Sequence, residues 1–137
     1  RVPMTGAVIV TTPQDIALLD AKKGIKMFEK VGVPILGIVE NMAVHVCSNC
    51  GHAEHIFGAD GGKRMASEYK VDYLGALPLA IGIREQADSG KPTVVSDPDG
   101  EIAGIYKSVA RQVAVSIAQR VKETPSKFPT ITISKTT

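Results

Sequence analysis

A chain of 137 residues with a formal net charge of +2 is long enough for one domain with a buried core. It is rich in aliphatics and poor in aromatics, with no Trp and with scattered lysines, so neither an arginine cluster nor an aromatic platform points to nucleic acid. No apolar run reaches the roughly 20 residues a membrane helix needs, no signal peptide is recognisable, and two cysteines do not make a secreted disulfide framework, so a reducing, cytoplasmic setting is expected.

The first element is Gly6-Ala7-Val8-Ile9-Val10, a continuous β-branched run without polar alternation. Such a run suits a parallel strand buried on both faces. Thr11-Thr12-Pro13-Gln14-Asp15 reads as a helix start, with Thr12 as cap and Pro13 at the first helical position. Leu18, Ala21, Ile25 and Phe28 follow at helical spacing as an inward face, with Lys22, Lys26 and Lys30 on a solvated one. Gly32 and Pro34 end the helix, and a second strand runs from Ile35 to about Glu40. Strand, helix and strand span roughly 35 residues, the size of a right-handed βαβ unit.

The segment from Asn41 to Gly62 reads as irregular and carries both cysteines and all three histidines. A short helix is expected over Lys63 to Tyr69, a third strand over Asp72 to Leu77, and a helical stretch over Ile83 to Ser89. Lys91 to Val95 reads as extended. Asp97-Pro98-Asp99 then opens a long helix, capped by Asp97, with Ile102, Ile105, Val109, Val113, Ile117 and Val121 on one face. Residues 124–137 read as a flexible tail, in which Thr130-Ile131-Thr132-Ile133 alternates like an edge strand. The fold class expected is α/β, a mostly parallel open sheet with flanking helices of the Rossmann or P-loop NTPase kind. Three parallel strands are few for this length, and the chain opens on Arg1, so strands completing the sheet are expected upstream.

Open α/β sheets bind ligands at the carboxyl ends of their strands. Thr11 to Gln14, Glu40 to Met42, and Pro78 to Ala80 occupy those ends. Asn41 offers a donor and an acceptor side by side, which match the N6/N7 edge of adenine; the plainer role is to close a turn. Gly58-Ala59-Asp60-Gly61-Gly62-Lys63-Arg64 imitates a phosphate loop but fails G-x-x-x-x-G-K-S/T twice, with Phe57 in the first glycine's slot and Arg64 in place of the hydroxyl residue. No segment of the sequence is equipped to hold a triphosphate for hydrolysis, and no catalytic residue is assigned.

The chemistry concentrates in Cys47-Ser48-Asn49-Cys50-Gly51-His52. Two thiolates at this spacing grip a metal or one edge of an iron–sulfur cluster, and either site needs about four ligands. Several readings stay open. A structural zinc would add two of His45, His52 and His55. A redox dithiol or inert thiols need nothing further. A cluster shared across a two-fold axis would draw four thiolates from two chains. His52, beside the pair, is the best candidate for an outer-sphere partner.

Thr11-Thr12-Pro13-Gln14, Gly37-Ile38-Val39-Glu40-Asn41-Met42, Cys47-x-x-Cys50-Gly51-His52, Ile56-Phe57-Gly58, Leu74-Gly75-Ala76-Leu77-Pro78 and Gly90-Lys91-Pro92 occur here in one order. In that order they resemble the Mrp-type (ApbC-like) iron–sulfur cluster carriers of the MinD-like, deviant-Walker branch of P-loop NTPases, over about Val2 to Val121. The resemblance implies cytosolic homodimers that bind and slowly hydrolyse ATP with magnesium, bridge a transferable 4Fe-4S cluster between two chains, and deliver it to apo iron–sulfur proteins. It carries the paired cysteines onto Cys47 and Cys50, the adenine-binding Asn onto Asn41, and a base-contacting segment onto Pro78, Leu79 and Ala80. It implies further that residues 1–123 are the C-terminal half of the NTPase domain, with the phosphate loop upstream. Two other functions compete: a zinc-stabilised α/β interaction module, and a partitioning-type regulatory ATPase in which the cysteines are incidental.

Overall fold

The computed structural model describes residues 4–123. Three parallel strands form the main sheet: β1 (Ala7–Thr11), β2 (Ile35–Glu40) and β5 (Tyr73–Ala76), in the order β1-β2-β5. The helices are α1 (Asp15–Lys30), α2 (Gly61–Tyr69), α3 (Ile81–Asp88), α4 (Thr93–Ser96) and α5 (Glu101–Glu123). Between β2 and α2 lies a two-stranded antiparallel hairpin, β3 (His45–Val46) and β4 (Ala53–Glu54). The expected α/β class with a parallel, helix-flanked sheet is what the chain adopts.

The central strand β2 is buried at all six positions, as its unbroken apolar run requires. On one face Ile9, Ile35 and Ile38 pack with Leu18 and Ile25 of α1 and Met65 of α2, and Ala21 and Phe28 complete the inward face read from helical spacing. On the other, Val39, Leu74 and Leu77 pack against Ile105, Val109 and Val113 of α5. The far end of α5 is tied down by Ser116 Oγ donating to Asp72 Oδ2 (3.0 Å) and Arg120 Nη2 donating to the Ile35 carbonyl (2.6 Å). Strand β1 lies at the sheet's edge, where Val10 is 59% exposed.

Three sequence expectations are corrected. Helix α1 starts at Asp15, with Gln14 in the capping position and no side-chain cap, rather than at Pro13 under Thr12. Pro13 is buried instead beneath Gly61, where an added Cβ would strike the proline's carbonyl oxygen. Lys91 to Val95 is not extended: Pro92 starts the one-turn helix α4, closed by Val95 and Ser96 N–H bonds to the Pro92 carbonyl. Asp97 follows that turn rather than capping α5, whose first residue is Glu101. The side chain of Val121, the tail 124–137 and the alternating Thr130–Ile133 lie outside the described residues. Among the described residues, no helix is long and apolar enough to cross a membrane.

Candidate functional site

Parallel strands place their carboxyl ends together, and here those ends are laced by main-chain bonds. Asn41 N–H donates to the Thr11 carbonyl (2.7 Å), and Leu77 N–H to the Glu40 carbonyl (2.8 Å). The three segments expected at the ligand edge, Thr11–Gln14, Glu40–Met42 and Pro78–Ala80, therefore sit side by side. The Asn41 Oδ1 accepts the Met42 N–H (2.9 Å), the turn-closing role this residue type allows. Asn41 also borders an open groove of about 550 Å³ that runs between β1 and α1 past Thr11, Thr12 and Asp20. Pro78, Leu79 and Ala80 are half-buried.

From this edge the cysteine arm projects. Ala43 N–H donates to the Leu77 carbonyl (3.0 Å), and Leu79 N–H to the Val44 carbonyl (2.8 Å). The His45 ring bonds through Nδ1 to the Leu79 carbonyl (3.1 Å), and the His55 ring through Nδ1 to the Ala43 carbonyl (2.7 Å). A carbonyl only accepts, so both rings carry their proton on Nδ1. The arm is thus stitched to the segment after β5, and the main-chain N–H and C=O of Leu79 both serve it.

At the tip, β3 and β4 pair His45 with Glu54 and Val46 with Ala53. Cys47 N–H donates to the His52 carbonyl (2.9 Å), and Gly51 N–H returns to the Cys47 carbonyl (2.8 Å). Gly51 has φ +72°, a left-handed conformation that suits glycine. The turn faces the Asn49 N–H, then the Cys50 N–H and thiol, toward the Cys47 sulfur, which holds the Cys47 thiol below its ordinary range. Both cysteines are free, Cys47 half-exposed and Cys50 exposed. A sulfur that accepts main-chain N–H bonds is stabilised as thiolate, the form that binds metal.

The ring of His52 stays exposed; it is its carbonyl that supports the pair. Among the described residues, no group of three or more His, Cys, Asp or Glu side chains converges as a metal site. The ligand set of the zinc reading with two histidines of the same chain is thus not assembled here, although the Nδ1 bonds of His45 and His55 to carbonyls leave the Nε2 lone pair of each ring available. The phosphate-loop imitation is also disposed of. The N-terminus of α2 is occupied by the Glu40 carboxylate, whose Oε2 accepts the Gly62 N–H, while Lys63 and Arg64 are exposed. Glu40 was legible in the sequence only as the end of a strand. An acidic residue closing an apolar run, with Asp-Gly-Gly ahead of the next helix, is the signal that could have found it.

Comparison with known proteins agrees with this architecture. The family model described as ParA, NUBPL iron-transfer P-loop NTPase, matches residues 1–114. The iron-sulfur cluster carrier protein of Pseudomonas fragi is 64% identical over 110 residues, 80% of this chain and 38% of its own length. The Escherichia coli K12 protein of the same name is 60% identical over 117 residues, 85% of this chain and 32% of its own. The mouse iron-sulfur cluster transfer protein NUBPL is 49% identical over 125 residues, 91% of this chain and 38% of its own. The chain thus spans about a third of the length of these relatives. Among solved structures, the nucleotide-binding protein of Archaeoglobus fulgidus in complex with ADP shares 34% identity at a TM-score of 0.57, over 71% of this chain and 39% of that one. The cell division ATPase MinD of Pyrococcus furiosus, at 24% identity and a TM-score of 0.63 over 81% of this chain and 43% of that one, shares the fold. With the family model matching most of its length, the chain belongs to the ParA-type, NUBPL iron-transfer P-loop NTPase family.

Proposed function

We propose that this chain carries an iron–sulfur cluster as cargo on Cys47 and Cys50, as part of an ATP-dependent cluster carrier. The observation that carries the reading is the placement of the pair. Two thiols, with N–H groups turned toward the Cys47 sulfur, stand at the exposed tip of a hairpin and supply half the usual ligand number. Two copies meeting at their tips would complete four thiolates for a 4Fe-4S cluster, and a cargo held by two ligands per side can leave for an apo-protein acceptor. The names of the bacterial and mouse relatives support cargo of this kind.

Residues 1–123 then act as one half of a larger nucleotide-binding domain, in keeping with the open edge of β1 and the fraction of its relatives that the chain spans. Asn41 and the Pro78–Ala80 segment would meet the adenine at the strand ends. ATP with magnesium would be held and slowly hydrolysed by the whole protein in the cytoplasm. Since Leu79 is bonded both to Val44 and to His45, a nucleotide that shifts this segment would shift the arm directly.

Anaerobic incubation of the chain with ferrous iron and sulfide tests the reading. The expected result is a brown protein containing iron and sulfide, with two chains per cluster by sedimentation. Replacing Cys47→Ser together with Cys50→Ser should leave it colourless while its melting temperature stays within about 2 °C, because exposed substitutions change stability by about 0.5 kcal/mol or less. Retention of iron by the double variant, or a colourless wild-type chain holding one zinc, would refute the assignment.

A further inference from the structure

Among the described residues Glu40 is the one buried carboxylate, 3% exposed at the last position of β2. Its main-chain carbonyl accepts the Leu77 N–H (2.8 Å), and the next amide, Asn41, donates to Thr11 (2.7 Å). Its side chain crosses to the start of α2 and accepts the Gly62 N–H. The cysteine arm leaves the sheet at Met42 and returns at Asp60. Both residues adopt left-handed backbone conformations, φ 55° and 57°, uncommon for a residue with a Cβ and more so for Met42 than for Asp60. The glycines explain how α2 comes so close. A Cβ on Gly62 would lie 3.0 Å from the Cβ and 3.1 Å from Oε2 of Glu40, and one on Gly61 would collide with the main chain of Pro13. The departing and returning roots of the arm therefore meet at one carboxylate. The departing side is also held by Leu77 and Leu79, and the returning side nearer the tip by the hairpin pairing and the His55–Ala43 bond; at its root the returning side depends on the bond to Gly62, the Arg64 bonds to the Ala59 and Asp60 carbonyls, and the packing of α2.

We propose that Glu40 is the positioning residue of the cysteine arm. Through the Gly62 amide its carboxylate fixes the returning root against the departing root beside Asn41, and so holds Cys47 and Cys50 at a set place relative to the strand ends. A carboxyl oxygen suits the task. It accepts the Gly62 N–H, and it faces the positive end of the α2 dipole. The clamp is a property of the fold, and its consequence for the cargo rests on the carrier reading above.

Amide hydrogen exchange on the 137-residue chain, read residue by residue, tests it. Glu40→Ala should speed exchange at Gly62 and at the arm amides Cys47, Gly51 and Gly58 by about tenfold or more. The β1 and β2 amides, Val10 and Ile38 among them, should keep their rates. Glu40→Gln, which retains an acceptor, should recover most of the protection, and Glu40→Asp, one methylene short of Gly62, should not. The proposal is overturned if arm and strand amides accelerate together, if the arm is unaffected by Glu40→Ala, or if Gln does no better than Ala. Iron release from the reconstituted chain is the second readout: it should be faster in Glu40→Ala, and equal rates would remove Glu40 from any part in presenting the thiols. A chain that takes up no iron yet shows the expected exchange pattern would sink the carrier reading and leave the clamp standing.

Discussion

Strand β2 and the arm that leaves its end are consecutive in sequence and held by different forces. Each of the six β2 residues is buried, and Ile38 is fully enclosed. Along the arm, residues 48–56 are all exposed, and only Ala43 near its root is buried. The strand is fixed by area removed from water, which tolerates few changes and is non-directional. The arm is fixed by a few directional bonds: Ala43 to Leu77, Leu79 to Val44, the two histidine rings, and Glu40 to Gly62. On the carrier reading proposed above, an element that offers two thiols to a second molecule cannot be buried, so hydrogen bonds are what remains to order it. Stability and presentation are thereby separated, and each can be perturbed without the other.

The largest stability effect should come from the strand. Ile38→Ala empties space at the centre of the cluster formed by Ile9, Leu18, Ile25 and Met65 and should lower unfolding free energy by about 2–5 kcal/mol. That is a large share of a typical domain's 5–15 kcal/mol, and urea or thermal unfolding would register it. In the fraction that stays folded, the protection of the arm amides relative to the sheet should be unchanged. Loss of arm protection ahead of global unfolding would mean the two regions are not separable.

A smaller effect is expected from the arm. His55→Ala deletes the ring N–H bond to the Ala43 carbonyl, a half-buried interaction of 2.7 Å. Such a bond contributes about 0.5–1.5 kcal/mol net. The change should appear as faster exchange between Ala43 and Glu54, with the melting temperature lowered by no more than a few degrees. A melting temperature that falls as far as it does for Ile38→Ala would erase the distinction between the regions.

The same division decides what the sequence could disclose. Strand β2 and the inward face of α1 were legible because burial writes itself as an unbroken apolar run and a helical period. The cysteine pair stands out in the sequence because metal or cluster binding needs particular residue types at particular spacing. The hairpin that presents it was not: two-residue strands leave no period, and its anchors at Leu77 and Leu79 lie more than thirty residues away, as the His45–Leu79 bond shows. Glu40 is of the same kind. Its partner is a main-chain amide 22 residues on, marked only by the Asp-Gly-Gly ahead of α2. Helix α4 escaped because the β-branched Thr93, Val94 and Val95 favour extension, while Pro92 starts a turn that their propensity does not overcome.

The finest distinction concerns the Cys47 thiol. The Asn49 N–H, and after it the Cys50 N–H and thiol, favour its ionised form, so its pKa in the folded chain lies below that in the unfolded one. A depressed value contributes stability above the unfolded pKa, and that contribution is lost as pH falls through the folded one. Because the group is open to solvent, melting curves should not detect it, whereas reactivity should. Iodoacetamide modifies the thiolate, so alkylation of Cys47 followed by peptide mass mapping should reach half its limiting rate at a lower pH in the native chain than in urea. Identical midpoints would show that the N–H groups of the turn do not face the sulfur in solution. The tip would then be ordered only by its main-chain bonds between Cys47, Gly51 and His52, with the root held by Leu77, Leu79, Glu40 and the two histidines, and nothing in the turn would favour the thiolate.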